Sequence, residues 1–338
     1  MPHSRQTPPR RILVVRLGAI GDVVNALTLA AALKRQDPGV HVGWLTHPLA
    51  EPLLRNNPCV DTVHRLSRKG MLGALPALRR ELRAQKYDLV VDLQRLLKSA
   101  VLARLAGAPR VLGYDKARCK EGAWMLYGER IQPGPARAHM VDQYAEFAAH
   151  LGCHGPIEHP LPPLSEALLD QAHQWLKPLG PRPPVVVHIG ASKPQNRWAP
   201  ERYADLIEGL LQEHAGGVVL TGGPSDEQDA GPTRDRLSHH PGFVDLLGRT
   251  DLLQLMAVFS KCRLFIGCDT GPMHLANALG LPIVALFGPA DPLRTGPYGP
   301  DHRIVRSPQA ILGQPLEAAS MSGVSPRDTL LAASEIIR

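Results

Sequence analysis

The residues best suited to chemistry begin with R-L-G-A-I-G-D (16–22), a glycine loop between an apolar run and a helix-like segment. Gly18 and Gly21 allow close backbone approach or positive φ. Asp22 stands at or just before a helix N-terminus, where aspartate is a good cap. The spacing is G-x-x-G-D rather than G-x-G-x-x-G, so the dinucleotide fingerprint is absent. A carboxylate there would repel a pyrophosphate. If the loop is functional, Asp22 suits a base facing an acceptor hydroxyl.

A second group is G-C-D-T-G-P-M-H-L-A-N-A-L-G (267–280), where an apolar strand runs into Asp269-Thr270-Gly271 and Pro272 opens a helix. Backbone N–H groups at such an N-terminus, with the Thr270 hydroxyl, can hold a diphosphate. Asp269 could accept from a ribose hydroxyl, and His274 could donate to a phosphate. The plainer alternative is an Asp/Thr cap beside a core histidine. A third group, H-I-G-A-S-K-P-Q-N-R-W (188–198), offers Ser192, Lys193 and Arg197 for phosphate contact, or is a solvated charged turn. A fourth is basic: Arg65, Arg68, Lys69, Arg95, Lys98, Arg118 and Lys120. It reads as solvated surface or, if these segments converge, as a seat for an anionic acceptor.

The elements that must position these residues alternate. ILVVRL (12–17), HVGWLT (41–46), TVHRL (62–66) and YDLVVDLQ (87–94) read as strands. Helical spacing covers 23–35, 72–85 and the segment after Leu96. From about 152 to 184 proline breaks the pattern around one helix-like stretch, SEALLDQAHQWLKPLG. The alternation restarts with PVVVHIG (184–190), a helix over 200–214, strands at 217–223 and in CRLFIGCD and PIVALFGP, and a last helix over 326–336. Alternating strands and helices imply α/β halves with parallel sheets covered on both faces. Ligands of such sheets bind at the carboxyl ends of the strands, where the glycine loops fall.

The chain's 338 residues suit two domains. A net charge of +7 favours anionic partners. Aromatics are only 4%, and neither a stacking platform nor a finger spacing points to nucleic acid. Five scattered cysteines without a C-x-x-C pair suggest neither a disulfide framework nor a zinc site, and fit a reducing cytosol. Arg16 and Asp22 interrupt the first apolar run, which therefore reads as a strand rather than a signal segment. No membrane-spanning stretch is expected. Asp88, Asp92 and Asp115 are wrongly spaced for a D-x-D magnesium pair, so no metal or other cofactor is expected.

Together RLGAIGDVV, DLQRLLKSA, GASKPQNRWAPERYADL and CDTGPMHLANALGLPIVALFGPADP resemble the lipopolysaccharide heptosyltransferases, glycosyltransferase family 9. The resemblance covers nearly the whole chain and implies a GT-B architecture, two Rossmann-like domains facing across a cleft. The implied division is an acceptor domain over 1–155, a proline-rich linker over 156–183, a nucleotide-sugar domain over 184–320, and a helix over 321–338 crossing back to the first domain. It implies inverting transfer of heptose from ADP-heptose, as co-substrate, to Kdo-lipid A, with Asp22 as general base. Donor residues by match are Asp269, Thr270, Gly271 and His274, with Ser192, Lys193 and Arg197 on the other loop. Acceptor residues are Gly21, Arg68, Lys69, Lys98 and Lys120. L-x-K-S at 96–99 looks more like the enzyme adding the first heptose; another donor sugar or a later core acceptor is the alternative. Asn196 stands where many members have a lysine, so Lys193 or Arg197 would replace it. Arg95 stands where glycine is common. A cytoplasmic enzyme visiting the inner membrane peripherally through charge is implied.

Overall fold

The computed structural model describes residues 9–67, 71–191, 193–214, 216–308 and 318–337. Two compact units meet at Pro163 and Leu164. In the first, the elements in chain order are β1 (Arg11–Val15), α1 (Ile20–Gln36), β2 (His41–Thr46), β3 (Thr62–Arg65), α2 (Met71–Ala84), β4 (Leu89–Asp92), α3 (Leu97–Leu105), β5 (Arg110–Gly113), β6 (Glu129–Arg130) and α4 (Met140–His150). The six strands form one parallel sheet in the order β3-β2-β1-β4-β5-β6. The central strands β1 and β4 are buried almost throughout, which is why they read as unbroken apolar runs. Helix α1 packs on α4 and buries most of its length, so its Ala and Leu residues face protein on nearly every side.

The second unit holds α5 (Glu166–Leu176), β7 (Val185–His188), α6 (Pro200–Glu213), β8 (Val218–Thr221), α7 (Gly231–Leu237), β9 (Phe243–Asp245), α8 (Leu252–Phe259), β10 (Leu264–Cys268), α9 (Gly271–Ala278), β11 (Ile283–Phe287), α10 (Pro292–Thr295), β12 (His302–Arg306) and α11 (Pro326–Ile337). Its sheet, also parallel, runs β12-β11-β10-β7-β8-β9. Helix α5, inside the proline-rich stretch, packs on α8. Helix α11 packs on α6 and beside β10, β11 and β12. The indole of Trp198 donates to the Val324 carbonyl at 2.9 Å and helps hold the chain entering α11 against the start of α6.

The two sheets share one winding. Each starts at an inner strand, steps outward twice, returns to the other side of that strand and steps outward again. Adjacent inner strands, β1 with β4 and β7 with β10, therefore send their connections in opposite directions. The crevice beyond their carboxyl ends is where doubly wound sheets bind ligands. Among the described residues, no helix is long and apolar enough to cross a membrane.

Candidate functional site

In the first unit the β1 loop carries Asp22 and the β4 loop carries Gln94, Arg95 and Lys98. The Leu17 amide donates to the Gln94 side-chain carbonyl at 3.0 Å, tying the two loops together. A depression at this point is lined by Leu17, Gly18, His47, Leu66, Gln94 and Lys98, among others. Gly18 has φ +149°, a conformation side chains avoid, whereas Gly21 lies buried inside α1. Asp22 is in the first turn of α1, where its Oδ2 accepts from the Ala19 amide at 3.3 Å. The helix start is thus partly capped by Asp22, as its residue type suggests.

Capping does not exhaust the carboxylate. Its Oδ2 is also ion-paired with Arg16, whose side chain is only 6% exposed against 32% for Asp22. Arg16 donates from Nη1 to the Leu93 carbonyl at 2.9 Å and lies 5.8 Å above the Tyr144 ring. Burial works against the guanidinium charge, but Asp22 beside it leaves its pKa raised overall. The Tyr144 hydroxyl donates to the other oxygen, Oδ1, at 3.4 Å. Asp22 therefore sits half-exposed at the switch point of the first sheet, backed by a buried cation and a buried phenol. Neither partner has a helix-capping function.

Asp92, at the end of β4, organises the second loop. It is fully buried and accepts from the Gln94 amide, the Ser99 hydroxyl and the Tyr127 hydroxyl, each at 2.8 Å. Burial pushes its carboxyl up to about 6, against the opposing pull of those donors. The Ser99 contact fixes the first turn of α3 and so sets exposed Lys98 at the crevice. Arg95 has φ +66°, the left-handed region that glycine fills without cost. Its guanidinium lies 5.1 Å over the Tyr114 ring, a contact a glycine would lack.

In the second unit the β7 and β10 loops meet at the equivalent point. Thr270 is the N-cap of α9, its hydroxyl accepting from the Met273 amide at 3.4 Å. Asp269 accepts from the Thr295 hydroxyl at 3.3 Å, and His274, largely buried, places Nε2 4.0 Å from the Asp269 carboxylate. Both plainer roles, cap and core histidine, are thus filled, and the positive end of α9 still opens at the strand ends. On the β7 loop, Gly190 has φ +100°, and a Cβ there would lie 2.5 Å from the Asp226 carboxyl. Asp226 and Asp229 bind the Arg197 guanidinium at 2.8 and 2.5 Å. Lys193 is exposed, whereas Asn196 is buried.

The structure therefore places Asp22 and Lys98 in the first turns of the helices that follow adjacent strands of one unit, and Lys193, Arg197, Asp269, Thr270, Gly271 and His274 on the loops and helix start after adjacent strands of the other. Arg68, Lys69 and Ser192 lie outside the described residues. Of the remaining basic residues, Arg118 is buried, bonded to Asp115, to Glu146 at 2.6 Å and to the Gln132 carbonyl. Arg65 faces Glu51. Lys120 is exposed, its amide donating to the Arg95 carbonyl at 2.9 Å. Arg16 enters the sequence reading as the first residue of R-L-G-A-I-G-D and as an interruption of an apolar run, with no role of its own. Tyr144 lies in a segment to which that reading gave no element. An arginine six residues before the aspartate was the available signal for the first; nothing local marks the second.

Two Rossmann-like parallel sheets with chemistry-bearing loops at both switch points define a class of nucleotide- or nucleotide-sugar-handling proteins. Residues 75–315 match the description of glycosyltransferase family 9 (heptosyltransferase). The chain belongs to this family: it is a glycosyltransferase with the GT-B fold. It is 26% identical over 292 residues to the lipopolysaccharide core heptosyltransferase OpsX of Haemophilus influenzae, covering 86% of this chain and 82% of that protein. It is 28% identical over 299 residues to lipopolysaccharide heptosyltransferase 1 of Pseudomonas aeruginosa, covering 86% and 81%. The solved structure of the E. coli ADP-heptose LPS heptosyltransferase II superposes with a TM-score of 0.81 at 25% identity, covering 97% of this chain and 98% of that one.

Proposed function

We propose that this enzyme transfers heptose from ADP-heptose to the Kdo-bearing inner core of lipopolysaccharide. The donor and acceptor classes follow the relatives' names. The observation that carries the division of labour is the position of the candidate residues at the switch points of both sheets. The first unit would present the acceptor and the second the donor.

In the proposed reaction the acceptor hydroxyl attacks the anomeric carbon while Asp22 takes its proton, inverting that centre and expelling ADP. Arg16 and the Ala19 amide on Oδ2, with the Tyr144 hydroxyl on Oδ1, hold the carboxylate in place. Developing charge on the leaving diphosphate is met by the N-terminus of α9 and by Lys193, with Ser192 on the same loop. Arg197 has both terminal nitrogens on carboxylates, so it shapes that loop and reaches phosphate only by exchanging a partner. Gly21, buried in the first turn of α1, stands beside Asp22 on the acceptor side; Lys98, Lys120, Arg68 and Lys69 would meet acceptor phosphates or carboxylates. Leu96–Ser99 favours the first-heptose acceptor. Water must be kept from the reacting centre, since it would otherwise hydrolyse the donor. The enzyme would work at the cytoplasmic face of the inner membrane.

The test is ADP release from ADP-heptose with heptose-free Kdo-lipid A, comparing wild type and Asp22→Asn. Turnover should fall by roughly 10²-fold or more in a folded variant. Undiminished turnover would reduce Asp22 to a helix cap. Turnover only on a heptose-bearing core would move the assignment to a later acceptor.

A further inference from the structure

The described residues expose seven large apolar side chains, and three of them, Leu97 (40%), Val101 (44%) and Met125 (65%), fall on one pair of packed elements. Leu97 and Val101 are four apart on the outer face of α3. Met125 lies in the helical turn 123–126, which packs against α3. The Leu97 amide, bonded to the Glu121 carboxylate at 3.2 Å, and the Lys120 amide, bonded to the Arg95 carbonyl, hold turn and helix together. Apolar side chains scattered singly over a surface need no explanation, whereas a cluster on adjoining elements does.

What surrounds the cluster identifies its partner. Lys98, Lys116, Lys120 and Arg130 are all exposed around it. Trp124 lies between two of them, with Lys116 Nζ 5.0 Å and the Arg130 guanidinium 5.8 Å from its ring centre. Glu121 is the acidic counterweight, and its carboxylate is already engaged. Apolar tips ringed by cations, beside a half-buried tryptophan, match the acyl boundary and the anionic headgroups of a bilayer. A protein partner of the same shape would need matching carboxylates; a bilayer supplies its charges laterally mobile.

We propose that the outer face of α3 and the turn 123–126 dock the first unit onto an anionic phospholipid surface. Lys98 in the first turn of α3 lies at the carboxyl end of the sheet, so docking would bring the crevice holding Asp22 to the lipid surface. This deepens the reading of a lipid-borne acceptor but is tested separately from it.

The experiment is flotation of the full chain with phosphatidylglycerol-containing vesicles and with phosphatidylcholine vesicles, for wild type and the double variant Val101→Glu/Met125→Glu. Wild type should float with the anionic vesicles alone and be released by ~1 M salt, where the Debye length falls to ~3 Å. The double variant should bind at least about tenfold more weakly, because it removes apolar tips and adds like charge at the headgroups. ADP release with a soluble, deacylated acceptor should match wild type, which separates lost docking from a lost fold. The proposal is overturned if the variant floats like wild type, or if wild type ignores anionic vesicles or binds neutral ones equally. It is also overturned if sedimentation shows a wild-type dimer that the variant dissolves, since the patch would then face a second copy. Absence of turnover with Kdo-lipid A would sink the proposed reaction and leave the flotation result standing.

Discussion

The two units place the same device, a strand running through a loop into a helix N-terminus, at the same point of the same sheet winding, yet charge it differently. In the first unit the helix start is occupied by the protein's own anion. Asp22 sits in the first turn of α1, backed by buried Arg16, and the N-cap residue Ala19 offers no side-chain acceptor. In the second unit a neutral hydroxyl, that of Thr270, caps α9, and Asp269 is held one residue outside the helix by Thr295. A helix N-terminus attracts anions in either case. In the proposed mechanism the start filled by a carboxylate serves proton transfer, and the start capped by a hydroxyl is left to a diphosphate. Topology alone assigns neither role.

The largest expected effect tests that division directly. Asp22→Asn should abolish most turnover while titration calorimetry finds ADP affinity within about twofold of wild type, since the proposed reaction gives Asp22 no donor contact. Thr270→Ala should do the converse, weakening ADP by roughly three- to tenfold, with about 1 kcal/mol lost from stability as the cap goes. If Asp22→Asn weakened ADP as much as Thr270→Ala does, the separation of roles would be wrong.

Asp92 in the first unit and His188 in the second are ionisable groups buried at the ends of central strands, and their pH dependences run in opposite directions. Burial lowers His188 to about 4, with Asp226 opposing, whereas burial raises Asp92 to about 6. Asp92 has a folded pKa above its ordinary ~3.9, so its contribution is full below about pH 4 and is lost as pH rises through 6. His188 has a folded pKa below its ordinary ~6.5, so its contribution is full above that value and is lost as pH falls through 4. Urea unfolding of Asp92→Asn and His188→Phe against wild type between pH 4 and 7 should show difference slopes of opposite sign. Each should amount to on the order of 2–3 kcal/mol across the window. Slopes of the same sign would mean that one of the two groups titrates differently from its burial.

The smallest effects concern the two left-handed loop positions. Gly190→Ala should cost about 1–3 kcal/mol, because the methyl meets the Asp226 carboxyl and φ is +100°. Arg95→Gly should relieve strain of about 1 kcal/mol and lose the Tyr114 contact, for a net change within about 1 kcal/mol in thermal unfolding.

The central elements were legible because their burial is written into composition. Strands β1, β4, β7, β10 and β11 are apolar runs, and their helices carry helical spacing. The outer strands β5, β6, β9 and β12 are absent from the sequence reading, as is α4. In β6 and β12 no residue is fully buried, so no apolar run marks them. Helix α4 follows a proline-rich approach and mixes its buried Tyr144 and Phe147 with exposed polar residues.

By itself the sequence determined that the chain alternates strand and helix, that it does so twice, and which glycine loops end which buried strands. Those facts rest on local chemistry: branched apolar residues for strands, caps at helix starts, prolines between. Only the tertiary structure decided that the loops of β1 and β4 meet, as do those of β7 and β10, because strand order depends on pairing between distant segments. It alone placed Arg16 and Tyr144 on the two oxygens of Asp22 and spent Arg118 and Arg197 on carboxylates. A side chain's charge is local, but what compensates it is set by segments up to 122 residues away, as with Tyr144 and Asp22.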